Sequence, residues 1–107
     1  MIVEHKKVGT DYPSLSPGQR YLVIGIEADD YRILNDRGEP CLYPAEAFDV
    51  VDATEPDEWV HERGEDGERY AYPLALNAAG FFEDFFDRKE DAVQVFWQVI
   101  NRGLTAA

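Results

Sequence analysis

The fold of this chain is decided by residues 20–44, which read RYLVIGIEADDYRILNDRGEPCLYP. The stretch contains three short runs of β-branched and aromatic residues, and these runs predict strands over residues 20–28, 31–34 and 40–43. The residues between the second and third runs are turn formers, and Gly38 supplies the positive φ that a tight hairpin requires. The stretch therefore predicts consecutive short antiparallel strands.

The sequence on both sides of this stretch extends the same pattern. Residues 1–8 predict an opening strand, and the turn-forming residues 9–18 predict a long loop. Downstream, Pro44 to Ala47 is typical of a single helical turn, and Phe48 to Val51 predicts a short closing strand. The predicted order is strand, long loop, strand, hairpin, strand, helical turn and strand.

This order resembles the Src-homology-3-like small β-barrel. The resemblance is carried by Tyr12-Pro13-Ser14-Leu15, Gly18-Gln19-Arg20-Tyr21, Tyr31-Arg32-Ile33 and Tyr43-Pro44 ahead of Phe48-Asp49-Val50-Val51. More narrowly, these residues are similar to those of small barrel domains in phage and bacterial proteins. The resemblance covers residues 1–52 and implies the fold, whereas barrels of this kind host many unrelated activities.

The second half of the chain has a different character. Asp66-Gly67 lies between two short polar strands and predicts a β-hairpin. Phe81 to Phe86 predicts a short helix, and residues 88–102 predict a C-terminal amphipathic helix with Asp87 and Glu90 as its capping box. The apolar face of that helix comprises Val93, Phe96, Trp97, Ile100 and Leu104.

We therefore expect a single α+β domain over residues 1–107. Residues 1–52 are predicted to form the small antiparallel barrel, and residues 53–107 the polar hairpin and the helical extension packed on it. The residues predicted to be mostly buried are Leu22, Ile24, Ile33, Leu42, Phe48, Val50, Phe96, Trp97 and Ile100.

The composition excludes several classes of protein. The chain has 22 acidic and 10 basic residues, a net charge of −12, which disfavours direct nucleic-acid binding. No window of the sequence approaches the length and apolarity of a membrane span, and the first residues lack the order of a signal peptide. The single cysteine, Cys41, excludes an internal disulfide and is typical of a reducing cytoplasm. We expect a cytoplasmic protein that does not bind membranes.

The sequence offers little for catalysis or metal binding. His5, His61 and Cys41 are far apart in the chain, and nothing cationic near the cysteine lowers its pKa. The two serines, Ser14 and Ser16, lack a nucleophile elbow, and no Cys/His spacing suits zinc. We therefore expect no enzymatic activity, no cofactor and no metal.

The acidic residues are concentrated in one part of the chain. Residues 46–68 hold ten acidic residues against one basic residue, Arg63, which is a net charge of −9. A solvated face is one interpretation of this stretch, and a surface complementary to a basic partner is the other. In the second interpretation Trp59 is a buried anchor within a charged rim, although Trp59 is also suited to pack the hairpin on the barrel. The predicted partner-binding residues are Glu55, Asp57, Glu58, Trp59, Glu62, Glu65 and Asp66.

Two functions follow from these observations. The first is an acidic binding protein of the toxin-immunity type, a monomer or weak homodimer that neutralises a basic protein such as a toxin or nuclease domain. The alternative is a non-catalytic peptide- or protein-interaction module of phage or mobile-element origin, with Tyr12, Tyr31 and Tyr43 lining a groove. Salt separates the two, because it weakens binding by an acidic surface more than binding by an aromatic groove. A nucleic-acid mimic is a weaker third alternative.

Overall fold

Strands fill the first two-thirds of the chain and helices the last third in the computed structural model, which describes residues 1–6 and 12–106, with side chains up to residue 103. The described strands are β1 (Ile2–His5), β2 (Arg20–Glu27), β3 (Asp30–Leu34), β4 (Pro40–Pro44), β5 (Phe48–Asp52), β6 (Trp59–Arg63) and β7 (Arg69–Pro73). The helices are α1 (Phe81–Phe86) and α2 (Glu90–Ala106), and 3-10 turns occupy Ala45–Ala47 and Leu74–Leu76. All strand pairs are antiparallel, which confirms the predicted α+β class.

Strand β2 organises the sheet because it pairs with three other strands. Its first residues, from Arg20 to Leu22, pair with β1, whereas those from Val23 onward pair with β3. Ile26 and Glu27 also pair with β7, which carries β6 as its hairpin partner. The strand order is β4-β3-β2-β1-β5, and the sheet does not close, because β4 and β5 do not pair with each other in the described part of the chain.

The apolar run in β2 reflects the fact that this strand contributes side chains to two separate cores. Val23 and Ile26 point into a core enclosed by the strands, whereas Ile24 points into a second core beneath the helices. Neighbouring residues of a strand point to opposite faces, and a register shift between Val23 and Gly25 lets Val23 and Ile26, three positions apart, face the same core. A strand covered on both faces shows a continuous apolar run rather than alternation.

The two cores contain different elements. The strand core is made by buried side chains from β1, β2, β3, β5, β6 and β7, among them Val3, Ile33, Phe48, Trp59 and Ala71. The helix core holds Ile24, Leu76, Phe96 and Ile100, with the phenylalanines of α1 packed around them. The helices therefore cover one face of the sheet rather than extending from its end.

The predicted strands agree with the observed ones to within one or two residues, apart from the opening strand. That strand was expected over residues 1–8, whereas β1 ends at His5, and Lys7 and Val8 lie outside the described residues. The C-terminal helix was expected over residues 88–102 but runs from Glu90 to Ala106. Asp87 is not its N-cap, because α2 begins only at Glu90, and Asp87 is instead the C-cap of α1, with its N–H donated to the Glu83 carbonyl oxygen.

The predicted core is correct for five of its nine members: Ile24, Ile33, Phe48, Phe96 and Ile100 are buried. Leu22 is half-buried, and the prediction is wrong for Leu42, Val50 and Trp97, which are exposed. Leu42 and Val50 lie on β4 and β5, the end strands of the main strand order, and face away from the strand core. Trp97 lies one residue beyond the buried stripe of α2, which is Ala92, Phe96 and Ile100. The side chain of Leu104 is outside the described part of the chain.

We predict that two neighbouring aromatic residues of α2 differ sharply in their contribution to stability. Phe96 is fully buried, so Phe96→Ala should lower the free energy of unfolding by about 3–5 kcal/mol. Trp97 is 37% exposed, and Trp97→Ala should cost only about 1 kcal/mol. Urea unfolding of both variants measures the difference. Equal losses would contradict the orientation of α2.

Candidate functional site

The acidic residues predicted to frame one partner surface do not lie together. Strand alternation in the β6–β7 hairpin places His61 and Arg69 on one face, and Glu62 and Tyr70 on the other. Glu65 belongs to the tip of the hairpin. Asp57 and Glu58 precede β6, and Asp66 is beside Glu65 at the tip. The sequence-predicted set is therefore spread over two faces and two loops.

Trp59 is placed inside the molecule rather than on its surface. It begins β6 opposite Pro73, is 6% exposed and belongs to the strand core with Ala71. Its side chain is therefore unavailable as an anchor for a partner. Trp59 instead packs the hairpin on the sheet, which is the alternative that the sequence also offered.

Glu55 is engaged within the chain. Its carboxylate forms an ion pair with the Arg69 guanidinium and lies 3.8 Å from Nε2 of His61. The same guanidinium is 3.3 Å from Nδ1 of His61. Arg69 therefore neutralises Glu55, and this pair contributes little net charge to the surface.

A cleft of about 630 Å³ lies on the Arg69 face of the hairpin, and we name it the acidic cleft. Its carboxylates are those of Asp29, Asp30 and Glu46, and none of the three forms an ion pair with any residue in the described ranges. The remaining lining residues are Met1, Ile26, Ala28, Tyr31, Pro44, Ala45 and Arg69. Because Arg69 is paired with Glu55, the cleft carries a negative charge beside an aromatic ring and a proline.

Backbone hydrogen bonds join the two turns that build the acidic cleft. The Ala45 N–H donates to the Asp29 carbonyl oxygen at 2.9 Å, and the Ala28 N–H donates to the Arg69 carbonyl oxygen at 2.8 Å. Pairing of β3 with β4 sets Asp30 opposite Pro44. Ala28 has a φ of 54°, a conformation that L-residues adopt at a cost of roughly 1–2 kcal/mol. This strained residue starts the turn that carries Asp29 and Asp30 into the cleft.

An aromatic strip continues from the acidic cleft across the sheet. Tyr31 pairs directly with Tyr43 on the neighbouring strand, so their side chains share one face. Tyr12 meets Tyr43 edge to face with ring centroids 5.3 Å apart, and Phe48 packs beneath both Tyr31 and Tyr43. The three tyrosines are half-buried, and each keeps part of its surface in contact with solvent. They are the residues expected from the sequence to line a groove, and they do lie side by side.

Sequence reasoning missed Asp29 and Asp30, which lie outside residues 46–68. The sequence does indicate that these two carboxylates are exposed, because they lie in the turn between two predicted strands. Their proximity to Glu46 depends on the pairing of β3 with β4, which sets Asp30 opposite Pro44, two residues before Glu46.

On the other face of the hairpin, a buried arginine joins the sheet to α1. Nε of Arg32 donates to the Tyr72 hydroxyl oxygen at 2.7 Å, and Nη1 donates to the Pro40 carbonyl oxygen at 2.8 Å. Nη2 lies 3.4 Å from Oε1 of Glu27, to which the Tyr72 hydroxyl donates at 2.8 Å. The guanidinium carbon is 3.9 Å from the centroid of the Phe82 ring, within cation–π range. Its donors face partners within the fold, so we treat this network as structural.

The groups that were considered for chemistry do not converge. Burial and the nearby Glu39 carboxylate raise the pKa of the Cys41 thiol, whereas a nucleophilic cysteine requires a lowered pKa. His5 is buried, with its Nδ1 3.2 Å from the Ala47 carbonyl oxygen, and His61 lies beside Glu55. Among residues 1–6 and 12–106, no three His, Cys, Asp or Glu side chains are grouped so that they could hold a metal ion.

Comparisons with known proteins identify no relative: no family model, no curated protein and no solved structure matches the chain. No helix in the described part of the chain is long and apolar enough to span a bilayer. The site is therefore interpreted from its own geometry and charge.

We predict a pH dependence of stability that involves Tyr72. Burial raises the pKa of Tyr72 well above the usual value of about 10, so the fold requires the protonated phenol. Stability from this group is complete below about pH 10 and is lost as the pH rises further. Tyr72→Phe should lower the free energy of unfolding at neutral pH, because Nε of Arg32 loses its acceptor. Above pH 10 the free energy of unfolding of this variant should fall less steeply than that of the wild type. Urea unfolding at several alkaline pH values measures both slopes, and parallel curves would contradict the assignment.

Proposed function

We propose that the chain is a non-catalytic binding protein that holds a basic segment of a partner protein in the acidic cleft and along the aromatic strip. The observation that carries this proposal is the position of Tyr31, which belongs to both. A lysine or arginine side chain lying on Tyr31 and Pro44 would place its charge near Asp29 and Asp30. The proposal therefore unites a basic partner with a groove lined by tyrosines.

Two features of the cleft support a ligand that comes from outside the chain. Its three carboxylates have no ion-pair partner among the described residues, whereas Glu55 nearby is already paired. In addition, the turn that presents Asp29 and Asp30 begins with Ala28 in a left-handed conformation. Strained backbone of this kind occurs often at binding sites, where the surrounding structure maintains it.

We further infer that strands β1 to β5 are arranged as an open barrel of the Src-homology-3-like type, in which β4 and β5 do not pair among the described residues. Strand β2 is shared between a group containing β1 and β5 and a group containing β3 and β4, and a 3-10 turn precedes β5. Grooves lined by aromatic residues bind extended peptides in several small domains. An extended basic segment is therefore the form of ligand that we propose.

An inhibitory form of this function has the bound segment belong to a toxin or nuclease domain. Such domains carry basic clefts, and a carboxylate-lined surface that covers one would block it and associate rapidly. If the chain is an inhibitor, variants of the acidic cleft should lose inhibition of the partner together with binding to it. A recognition module without an inhibitory role loses binding alone.

The proposal is tested with peptides in place of the partner. The probe is a fluorescently labelled, extended Ala/Pro/Ser peptide with two arginines, and its comparison peptide has glutamine at the same positions. We expect the arginine peptide to bind more tightly, and the variant Asp29→Asn, Asp30→Asn, Glu46→Gln to lose affinity about tenfold or more. Fluorescence anisotropy at low and at physiological salt measures the affinities.

The matched control removes the same three charges elsewhere. Asp57→Asn, Glu65→Gln, Asp66→Asn changes the net charge equally, and its residues come from the stretch that the sequence indicated. We expect this variant to bind within about twofold of the wild type, because its three residues do not line the cleft and salt screens exposed charges. Equal losses of affinity in both variants would contradict the proposal, because they would show that the overall negative charge of the chain, and not the cleft, attracts the peptide. Equal binding of both peptides would overturn the proposal.

A further inference from the structure

A groove of about 870 Å³ lies between the β3–β4 hairpin and the two helices, away from the acidic cleft. Its apolar side is formed by Phe85, Phe86, Val93 and Trp97. Phe86 is 45% exposed, and with Trp97 it is among the large apolar residues most exposed in the described chain. Apolar side chains grouped in this way on a surface are typical of an interface.

The groove has a fixed frame. Arg88, between the helices, has a φ of 60°, and its N–H donates to the Phe85 carbonyl oxygen at 3.0 Å. The next N–H, of Lys89, donates to the Asp84 carbonyl oxygen at 3.0 Å. Ring contacts then run from Phe86 through Phe85 to the buried Phe96. The exposed rings are therefore held in place by the helix core.

The charged residues that line the groove offset one another, unlike those of residues 46–68. Residues 85–97 contain three acidic and two basic residues, whereas residues 46–68 have a net charge of −9. Glu39 on the opposite rim is neutralised by Arg37 at 3.6 Å. Arg88 and Glu90 both line the groove, and neither forms an ion pair within the described ranges.

We propose that this groove is the interface of a weak homodimer, and that its occupant is the same groove of a second copy. In a two-fold interface each residue contacts its counterpart reciprocally, so Arg88 of each copy can meet Glu90 of the other while the aromatic rings cover one another. A face that contains residues 46–68 would bring two strongly negative surfaces together. At this groove two copies can associate without that repulsion.

The test is sedimentation velocity of the full chain from low-micromolar to millimolar concentration. We expect a concentration-dependent shift from monomer to dimer, which Phe86→Glu weakens about tenfold or more. Leu74→Glu is the matched control, because Leu74 is 69% exposed elsewhere and receives the same charge. The control should leave the dimerisation constant within about twofold. Circular dichroism confirms that both variants are folded.

A charge exchange tests the reciprocal pairing. Arg88→Glu and Glu90→Arg should each weaken the dimer, and the double variant should recover most of the loss because it restores opposite charges. A monomer at every concentration, or a dimer that Leu74→Glu disrupts and Phe86→Glu does not, would overturn the proposal. A groove that binds an unrelated apolar peptide without any dimer would also overturn it.

Discussion

The positive charge of Arg32, buried between the sheet and helix α1, is the constraint on which the rest of the structure depends. A buried charge without partners is strongly unfavourable, so the chain must supply acceptors from several elements at once. Tyr72, Pro40 and Glu27 supply them from β7, β4 and β2, and Phe82 supplies a ring from α1. One guanidinium thereby fixes the relative positions of the sheet and the first helix.

The same network explains why the molecule has two different surfaces. Tyr72 is drawn toward Arg32, and its ring packs so tightly on β2 that a Cβ at Gly25 would lie 2.1 Å from it. β7 is therefore held against β2, and the β6–β7 hairpin divides the space beside the sheet. The acidic cleft lies on one side of this hairpin and the arginine network on the other.

Local features of the sequence were sufficient to predict the strands. Turn formers around Gly38 and the β-branched run in β2 act over a few residues, so the strand order agreed with expectation. The second core was harder to predict, because the register shift between Val23 and Gly25 changes which residues of β2 share a face. Phe96 and Trp97 are adjacent in sequence, and the pattern alone did not decide which of them faces the sheet.

The sequence predicted the aromatic part of the candidate site but not its carboxylates. The tyrosines of the aromatic strip are those expected to line a groove, whereas Asp29, Asp30 and Glu46 are not among the residues expected to bind a partner. Strand alternation places Glu62 on the face opposite His61 and Arg69, which are the partners of Glu55, and Trp59 is buried in the strand core. The cleft depends on the register of the β3–β4 hairpin, which sets Asp30 opposite Pro44; the turn formers around Gly38 predict the hairpin but not which residues pair.

The most direct test of the central role of Arg32 is a double-mutant cycle with Phe82. Free energies of unfolding are measured for the wild type, Arg32→Met, Phe82→Leu and the double variant. If the guanidinium joins the sheet to α1, the two substitutions should be coupled by about 1 kcal/mol or more. Losses that add within about 0.3 kcal/mol would show that sheet and helix are held together without Arg32.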